Sequence, residues 1–257
     1  MKSIGLKLSL AAGLLAGAAV TTSAARADDA AAAPAWGTLS AYVAVTSDYR
    51  YRGITQDSKE ATPQGSINWS GPEGVYAGTW LSKVNWDGMN DPSFEMDLYA
   101  GKHTDLGGTD LNVEAYYYSY PDANKAIFGA TASYYETIVQ LSHAFGPLTL
   151  TATGANSPEW SLKGGTGWYA ESTAAYTVCD WLSISGNLGH QWVAAAPSDY
   201  THYDIGATAT WKSWTFDARY VGNDIKTADA GFWIGTPKGA ASGFVATVTY
   251  NIANLLQ

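Results

Sequence analysis

The sequence predicts an all-β chain: a single antiparallel up-and-down transmembrane β-barrel of twelve strands, with short periplasmic turns and longer extracellular loops. Three observations predict it. Apolar and polar residues alternate with a period of two along most of the chain, the spacing that sorts side chains onto opposite faces of a strand. The connections alternate between short and long, as they do in outer-membrane barrels. The composition is charge-poor and aromatic-rich: 14% of the 257 residues are charged, with 27 Gly, 17 Tyr and 11 Trp, whereas an ordinary soluble domain carries about 25% charged residues.

The same composition excludes several classes. With 23 acidic against 14 basic residues and a formal charge of −9, a basic nucleic-acid-binding surface is not expected. The apolar and aromatic mass is too large for a disordered chain. One cysteine, Cys179, excludes an intramolecular disulfide and a cysteine-based zinc site.

Residues 1–27 read as a cleaved secretory signal peptide. Lys2 and Lys7 supply the positive start, Leu8 to Val20 an apolar run too short to span a bilayer, and Ala25-Arg26-Ala27 an A-x-A cleavage site. Residues 28–257 are then one barrel domain, exported to the bacterial outer membrane.

The strands follow in order. In Leu39–Arg52, Leu39, Ala41, Val43, Val45, Tyr49 and Tyr51 oppose Ser40, Thr46, Asp48, Arg50 and Arg52. Pro63–Ser70 and Val75–Trp86 are less regular. In Phe94–His103, Phe94, Met96, Leu98 and Ala100 oppose Glu95, Asp97, Tyr99, Gly101 and His103. In Leu111–Tyr120, Leu111, Val113, Ala115 and Tyr117 oppose Asn112, Glu114, Tyr116, Tyr118 and Tyr120. Tyr135–Phe145 is again less regular, and Ala126–Tyr134 before it reads as a loop or a further strand. Alternation resumes from Leu148 to Thr153, Trp168 to Thr177, Leu182 to Gln191, His202 to Trp211, Trp214 to Tyr220 and Phe244 to Asn251. The last strand closes either at Tyr250 or beyond it, through Ile252. Short connections such as Gly71–Gly74, Gly146-Pro147 and Lys212-Ser213 alternate with longer ones such as Gly53–Thr62, Pro121–Ala132 and Gly222–Ser242.

Apolar faces begin or end in Tyr49, Tyr51, Trp168, Tyr176, Trp192, Tyr203, Trp211, Trp214, Tyr220 and Tyr250. That is the placement of aromatic girdles at two membrane interfaces. A secreted β-sandwich would need water-facing strand sides richer in Lys and Glu than these Thr, Ser, Asn and Tyr sets.

Specific strings then carry a family likeness. Ser47-Asp48-Tyr49-Arg50-Tyr51-Arg52-Gly53-Ile54-Thr55-Gln56 resembles the opening signature of the TorF-family porins of Gram-negative bacteria. Pro63-Gln64-Gly65-Ser66-Ile67, Gly74-Val75-Tyr76-Ala77-Gly78-Thr79-Trp80, Glu95-x-Asp97-x-Tyr99-x-Gly101 and Tyr118-Ser119-Tyr120-Pro121 are similar to its next blocks. The resemblance is densest before Pro121. It implies an outer-membrane barrel and a pore, and says little about the solute.

In a pore the working residues are those that face inward. The expected pore lining is Asp48, Arg50, Arg52, Glu95, Asp97, Glu114, Tyr116, Tyr118, Glu171, Asp204, Asp217 and Arg219, with Glu136 also inward. Acids outnumber bases in this set, and acids around a water-filled path concentrate cations. The expectation is a porin for passive diffusion of small hydrophilic solutes, with outer-membrane lipid and the outer-membrane assembly machinery as its partners. Inward Tyr99, Tyr116, Tyr118 and Tyr169 either fill the lumen or form a surface on which solutes slide. An arginine at Asp97 is expected to change selectivity with little effect on folding.

Two alternatives stay open. One is a non-conducting structural or adhesive barrel that presents its loops to a partner. The other is an outer-rim hydrolase in which His202 and Asp204, two residues apart on one face, orient a base; no serine in a nucleophile setting accompanies them. No catalytic residue, metal site or cofactor is expected, because no His/Asp/Glu cluster has ligand spacing and Gly164-Gly165-Thr166-Gly167 lacks the context of a phosphate loop.

Overall fold

A computed structural model describes residues 36–86, 92–124, 129–234 and 237–252. The signal peptide of the sequence reading lies outside them. The strands are β1 (Thr38–Thr46), β2 (Arg50–Tyr51), β3 (Ile54–Thr55), β4 (Thr62–Ser70), β5 (Val75–Lys83), β6 (Phe94–Asp105), β7 (Thr109–Tyr118), β8 (Tyr134–Phe145), β9 (Leu148–Ser157), β10 (Gly167–Cys179), β11 (Leu182–Val193), β12 (Tyr200–Trp211), β13 (Trp214–Asn223) and β14 (Gly243–Ile252). Twelve of them, β1 and β4 to β14, form a closed barrel in which each strand pairs antiparallel with its neighbours in sequence and β1 pairs with β14. β2 and β3 form a separate two-stranded sheet. No described helix is long and apolar enough to cross a membrane.

Period-two alternation positions the side chains as it should. Val43, Leu98, Val139, Leu150, Ile184, Leu188, Ile205 and Phe216 are exposed on the outer wall, while Glu95, Asp97, Glu114, Glu136 and Asp204 are buried inside. Such an outer face fits hydrocarbon, where only a closed sheet leaves no backbone group unpaired. Trp168, Trp192 and Tyr203 stand on the outer wall near the long-loop end, and Tyr176, Trp211, Trp214 and Tyr250 near the short-turn end. Amphipathic rings at two levels are what two interfaces require.

Three boundaries differ from the sequence reading. The first strand ends at Thr46, not Arg52. β5 ends at Lys83 rather than Trp86, and β7 at Tyr118 rather than Tyr120. The described part of Ala126–Tyr134 holds no strand before Tyr134, and β14 runs on to Ile252, which pairs with Ala41.

Two glycines on neighbouring strands make room for rings that lie flat against the inner wall. A Cβ on Gly78 would sit 2.6 Å from the Tyr99 ring, and one on Gly101 would sit 2.5 Å from Tyr76 Oη and 2.7 Å from the Val113 carbonyl. Gly101→Val is therefore expected to destabilise the folded barrel by about 1–3 kcal/mol through overpacking. A denaturant titration of folding into lipid vesicles would measure it, and wild-type stability would show that the ring can move aside.

Candidate functional site: the lumen and its inserted loop

Residues 47–61 leave β1 at the long-loop end and turn into the barrel. The hairpin β2–β3 is joined by Arg52 and Gly53, which stand between the paired Tyr51 and Ile54. Both have positive φ, 47° and 83°, as a two-residue type I′ turn demands. Glycine takes that conformation freely; arginine does so under strain. A Cβ at Gly53 would lie 2.7 Å from the Cβ of His202, so the hairpin tip is pressed against the β12 wall.

Arg52 crosses to the strands opposite. Its guanidinium donates to both carboxylate oxygens of Glu136 on β8, at 3.1 and 2.7 Å, and to Gln191 Oε1 on β11 at 2.5 Å. It lies 3.8 Å from the Tyr169 ring centroid, 4.7 Å from Tyr51 and 5.5 Å from Trp160. A planar cation takes this place well, since it can be forked to a carboxylate and stacked on rings at once. Glu136 also accepts from Tyr118 Oη at 3.1 Å. Elsewhere the loop is tied by Tyr49 Oη donating to Glu95 at 3.0 Å, Tyr200 Oη donating to the Arg52 carbonyl at 3.1 Å and Asn223 donating to the Gly53 carbonyl at 2.9 Å.

Within the loop Arg50 is paired with Asp48 at 2.7 Å and donates to the Ala241 carbonyl at 2.9 Å. The Thr55 hydroxyl lies between two carboxylates, 2.6 Å from Asp48 and 2.9 Å from Asp57. Burial pushes the Asp57 carboxyl above the usual carboxylate range, against the hydrogen bonds it accepts.

The wall carries two kinds of lining. On β5 to β8 it is aromatic and acidic: Tyr99 stacks on Tyr116, Tyr116 packs on Tyr118, and Tyr118 stacks on Tyr134, with centroids 5.3, 4.5 and 4.6 Å apart. Apart from Glu136, which takes Arg52, their neighbouring carboxylates meet hydroxyls rather than bases. Glu95 accepts from Tyr120 at 2.8 Å, Asp97 from Tyr116 at 2.9 Å, and Glu114 has Oε2 unpartnered among the described residues. On β9 to β14 the lining is mostly hydroxyl and small side chains such as Thr151, Thr173, Ser183, Thr215 and Thr247, half-buried. Glu171 on β10 and one charged triplet interrupt it. Arg219 bridges Asp204 at 2.5 Å and Asp217 at 2.7 Å.

Each residue expected to line the pore lies inside the barrel, but by two routes. Glu95, Asp97, Glu114, Tyr116, Tyr118, Glu171, Asp204, Asp217 and Arg219 project from wall strands. Asp48, Arg50 and Arg52 reach the lumen from the inserted loop, not from the first strand. Tyr49 and Tyr51, expected in the outer girdle, stand inside with it. Asp97 is 1% exposed and held by Tyr116 and the Ser119 amide. An arginine there would not spare folding, because its longer side chain overfills a closed site and strands both donors.

His202 and Asp204 do not form a base-orienting pair. The His202 ring bonds Tyr169 Oη at 2.7 Å, and Tyr169 donates to Glu171 at 2.6 Å. Asp204 instead accepts from Arg219 and from Asn187, the latter at 2.6 Å. Among the described residues no group of His, Cys, Asp and Glu could hold a metal ion.

Residues 28–251 match the family described as "Bacterial protein of unknown function (Gcw_chp)". The chain belongs to the Gcw_chp family. No curated protein matches it. Among solved structures, this Gcw_chp barrel resembles the KdgM porin, at TM-score 0.56 and 10% identity over 82% of this chain and 98% of that one. It also resembles the NanC porin, at TM-score 0.53 and 8% identity over 84% of this chain and 100% of that one. A further match, at TM-score 0.55 and 8% identity over 83% and 98%, is titled "KdgM porin in complex with disordered oligogalacturonate". At such identities the likeness is one of fold: a porin-like barrel.

Proposed function

We propose that the chain is a bacterial outer-membrane channel for small hydrophilic solutes, without catalytic activity, inserted by the outer-membrane assembly machinery and preferring cations. The lumenal charge carries the preference. The inward arginines of the loop and walls, Arg50, Arg52 and Arg219, are each tied to carboxylates. Glu95, Asp97, Glu114 and Glu171 have no arginine or lysine partner among the described residues. Glu171 is half-buried on the β10 wall and its field acts directly on permeating ions, whereas Glu95, Asp97 and Glu114 lie buried in the wall lining and add to the acidic field only when ionised; low-dielectric walls focus that field. The TorF-like strings of the sequence, and the closed barrel with an apolar outside and a polar inside, support the channel reading. A polyanion such as the oligogalacturonate seen with KdgM fits this acidic interior poorly.

Recordings in a planar bilayer under a salt gradient test the proposal. The reversal potential is expected to show cations favoured over anions. An anion-selective current would overturn the charge argument. The second reading, a barrel that presents loops without conducting, draws on the loop that fills the outer part of the lumen; a folded chain that never conducts would favour it.

A further inference from the structure

We propose that the loop of residues 47–61, held in place by Arg52, sets the aperture of the lumen. The inference rests on the channel reading above and adds which element limits passage and which side chain fastens it. Burial of the inward side chains shows where the loop acts. At its level Thr62, Glu95, Glu136, Ser157 and Gln191 are 0–1% exposed, whereas toward the short-turn end Asn68, Ser142, Thr173 and Ser183 are half-buried, with Asn112 and Thr208 the buried exceptions there. A water-accessible vestibule thus faces the short-turn end, and the loop occupies the space above it.

The wall does not need this loop. Thr46, the last residue of β1, pairs directly with Thr62, the first of β4. Strand pairing is complete on either side of the insertion, which is joined to the far wall through side chains and carbonyls and not through a strand ladder. An element attached in this way can leave without opening the barrel.

Arg52 is the residue that fastens it. Arg50 is satisfied by Asp48 and the Gly53 carbonyl within the loop and by the Ala241 carbonyl just before β14, and reaches neither β8 nor β11. Arg52 alone among the loop's charges spans to β8 and β11, and does so from a left-handed backbone conformation that its side chain does not favour. Strain retained at a hairpin tip, where the surrounding contacts over-determine the conformation, marks a position kept for what the side chain does there.

Single-channel conductance of four proteins tests this: the wild type, a barrel with residues 47–61 replaced by Asn-Gly, Arg52→Ala and Glu136→Gln. Folding of each is verified by the difference in gel mobility between unheated and heated samples. The Asn-Gly linker suits a two-residue connection between paired strands. Its barrel is expected to conduct several-fold more than the wild type, and Arg52→Ala and Glu136→Gln to fall between the two with frequent transitions. Equal conductance of the folded wild type and the loop-replaced barrel would overturn the proposal. So would a large current from the loop-replaced barrel with both point variants unchanged, since the fastening would then lie elsewhere. A folded loop-replaced barrel that carries no current would instead overturn the channel reading itself. If the loop-replaced barrel fails to fold, the two point variants decide, because each leaves the wall strands intact.

Discussion

Leu98→Arg is expected to cost the folded barrel about 2–4 kcal/mol, the penalty for a basic side chain facing the middle of the hydrocarbon. Leu98 stands mid-strand on β6, 49% exposed, between the buried Asp97 and Tyr99. Its exposure is to lipid on this reading. An arginine there can reach neither interface without bending the strand, and the inward space is closed to it by the backbone. Ser183→Arg, on β11 with its side chain toward the vestibule, is the matched control and should lose much less, because water reaches it. Folding titrations of the two variants into lipid vesicles would measure both. Equal losses would contradict the assignment of faces on which the whole architecture depends.

Arg219→Ala is the second variant with a large expected effect, a loss of about 3–5 kcal/mol. The guanidinium serves two carboxylates at once: Nη1 donates to Asp204, and Nε and Nη2 donate to the two oxygens of Asp217. Removing it leaves two acids facing each other across β12 and β13, one of them only 6% exposed, with Asn187 and Thr208 the remaining side-chain donors to them among the described residues. Arg219→Lys should recover part of the loss and not all, since an ammonium cannot fork to one carboxylate while reaching another. Adding Asp204→Asn to Arg219→Ala should also recover stability by removing the repulsion. Failure of that second change to help would show that packing of the arginine stem, and not charge, dominates.

Much of the architecture was legible because a barrel wall obeys one rule, that side chains alternate between lipid and lumen. Phe94 to Ala100 illustrates it: every second residue is apolar, and the structure turns these outward and Glu95, Asp97 and Tyr99 inward. The inserted loop was not legible by the same rule. Leu39 to Arg52 keeps the alternation apart from Tyr42, Ala44 and Ser47, so Asp48, Arg50 and Arg52 looked like wall residues. Two signals could have shown the break. Fourteen residues exceed the roughly 9–11 that span a bilayer as a tilted strand, and Arg52-Gly53 between Tyr51 and Ile54 has glycine at the second central position of a primed turn. Arginine at the first position concealed it, because asparagine or aspartate is the usual occupant. The partners of each charge were also beyond alternation. It places Asp204, Glu136 and Arg219 on the inside, but strand register and an insertion from across the barrel decide that Arg219 takes Asp204 and Arg52 takes Glu136.

The join between the first and last wall strands has a consequence for how such a chain matures. It runs only from Ala41 opposite Ile252 to Thr46 opposite Thr247, and it is the one pairing in the wall between segments remote in sequence. Every other strand can find its partner as soon as the next hairpin exists; this one must wait for the final ten residues of the barrel. Until then two raw margins face the bilayer, each with a row of unsatisfied amides at a cost of several kcal/mol per group. Membrane insertion should therefore be all-or-none with respect to β14, and a chain cut before Gly243 should be cleared as a misfolded intermediate instead of persisting as an eleven-stranded wall.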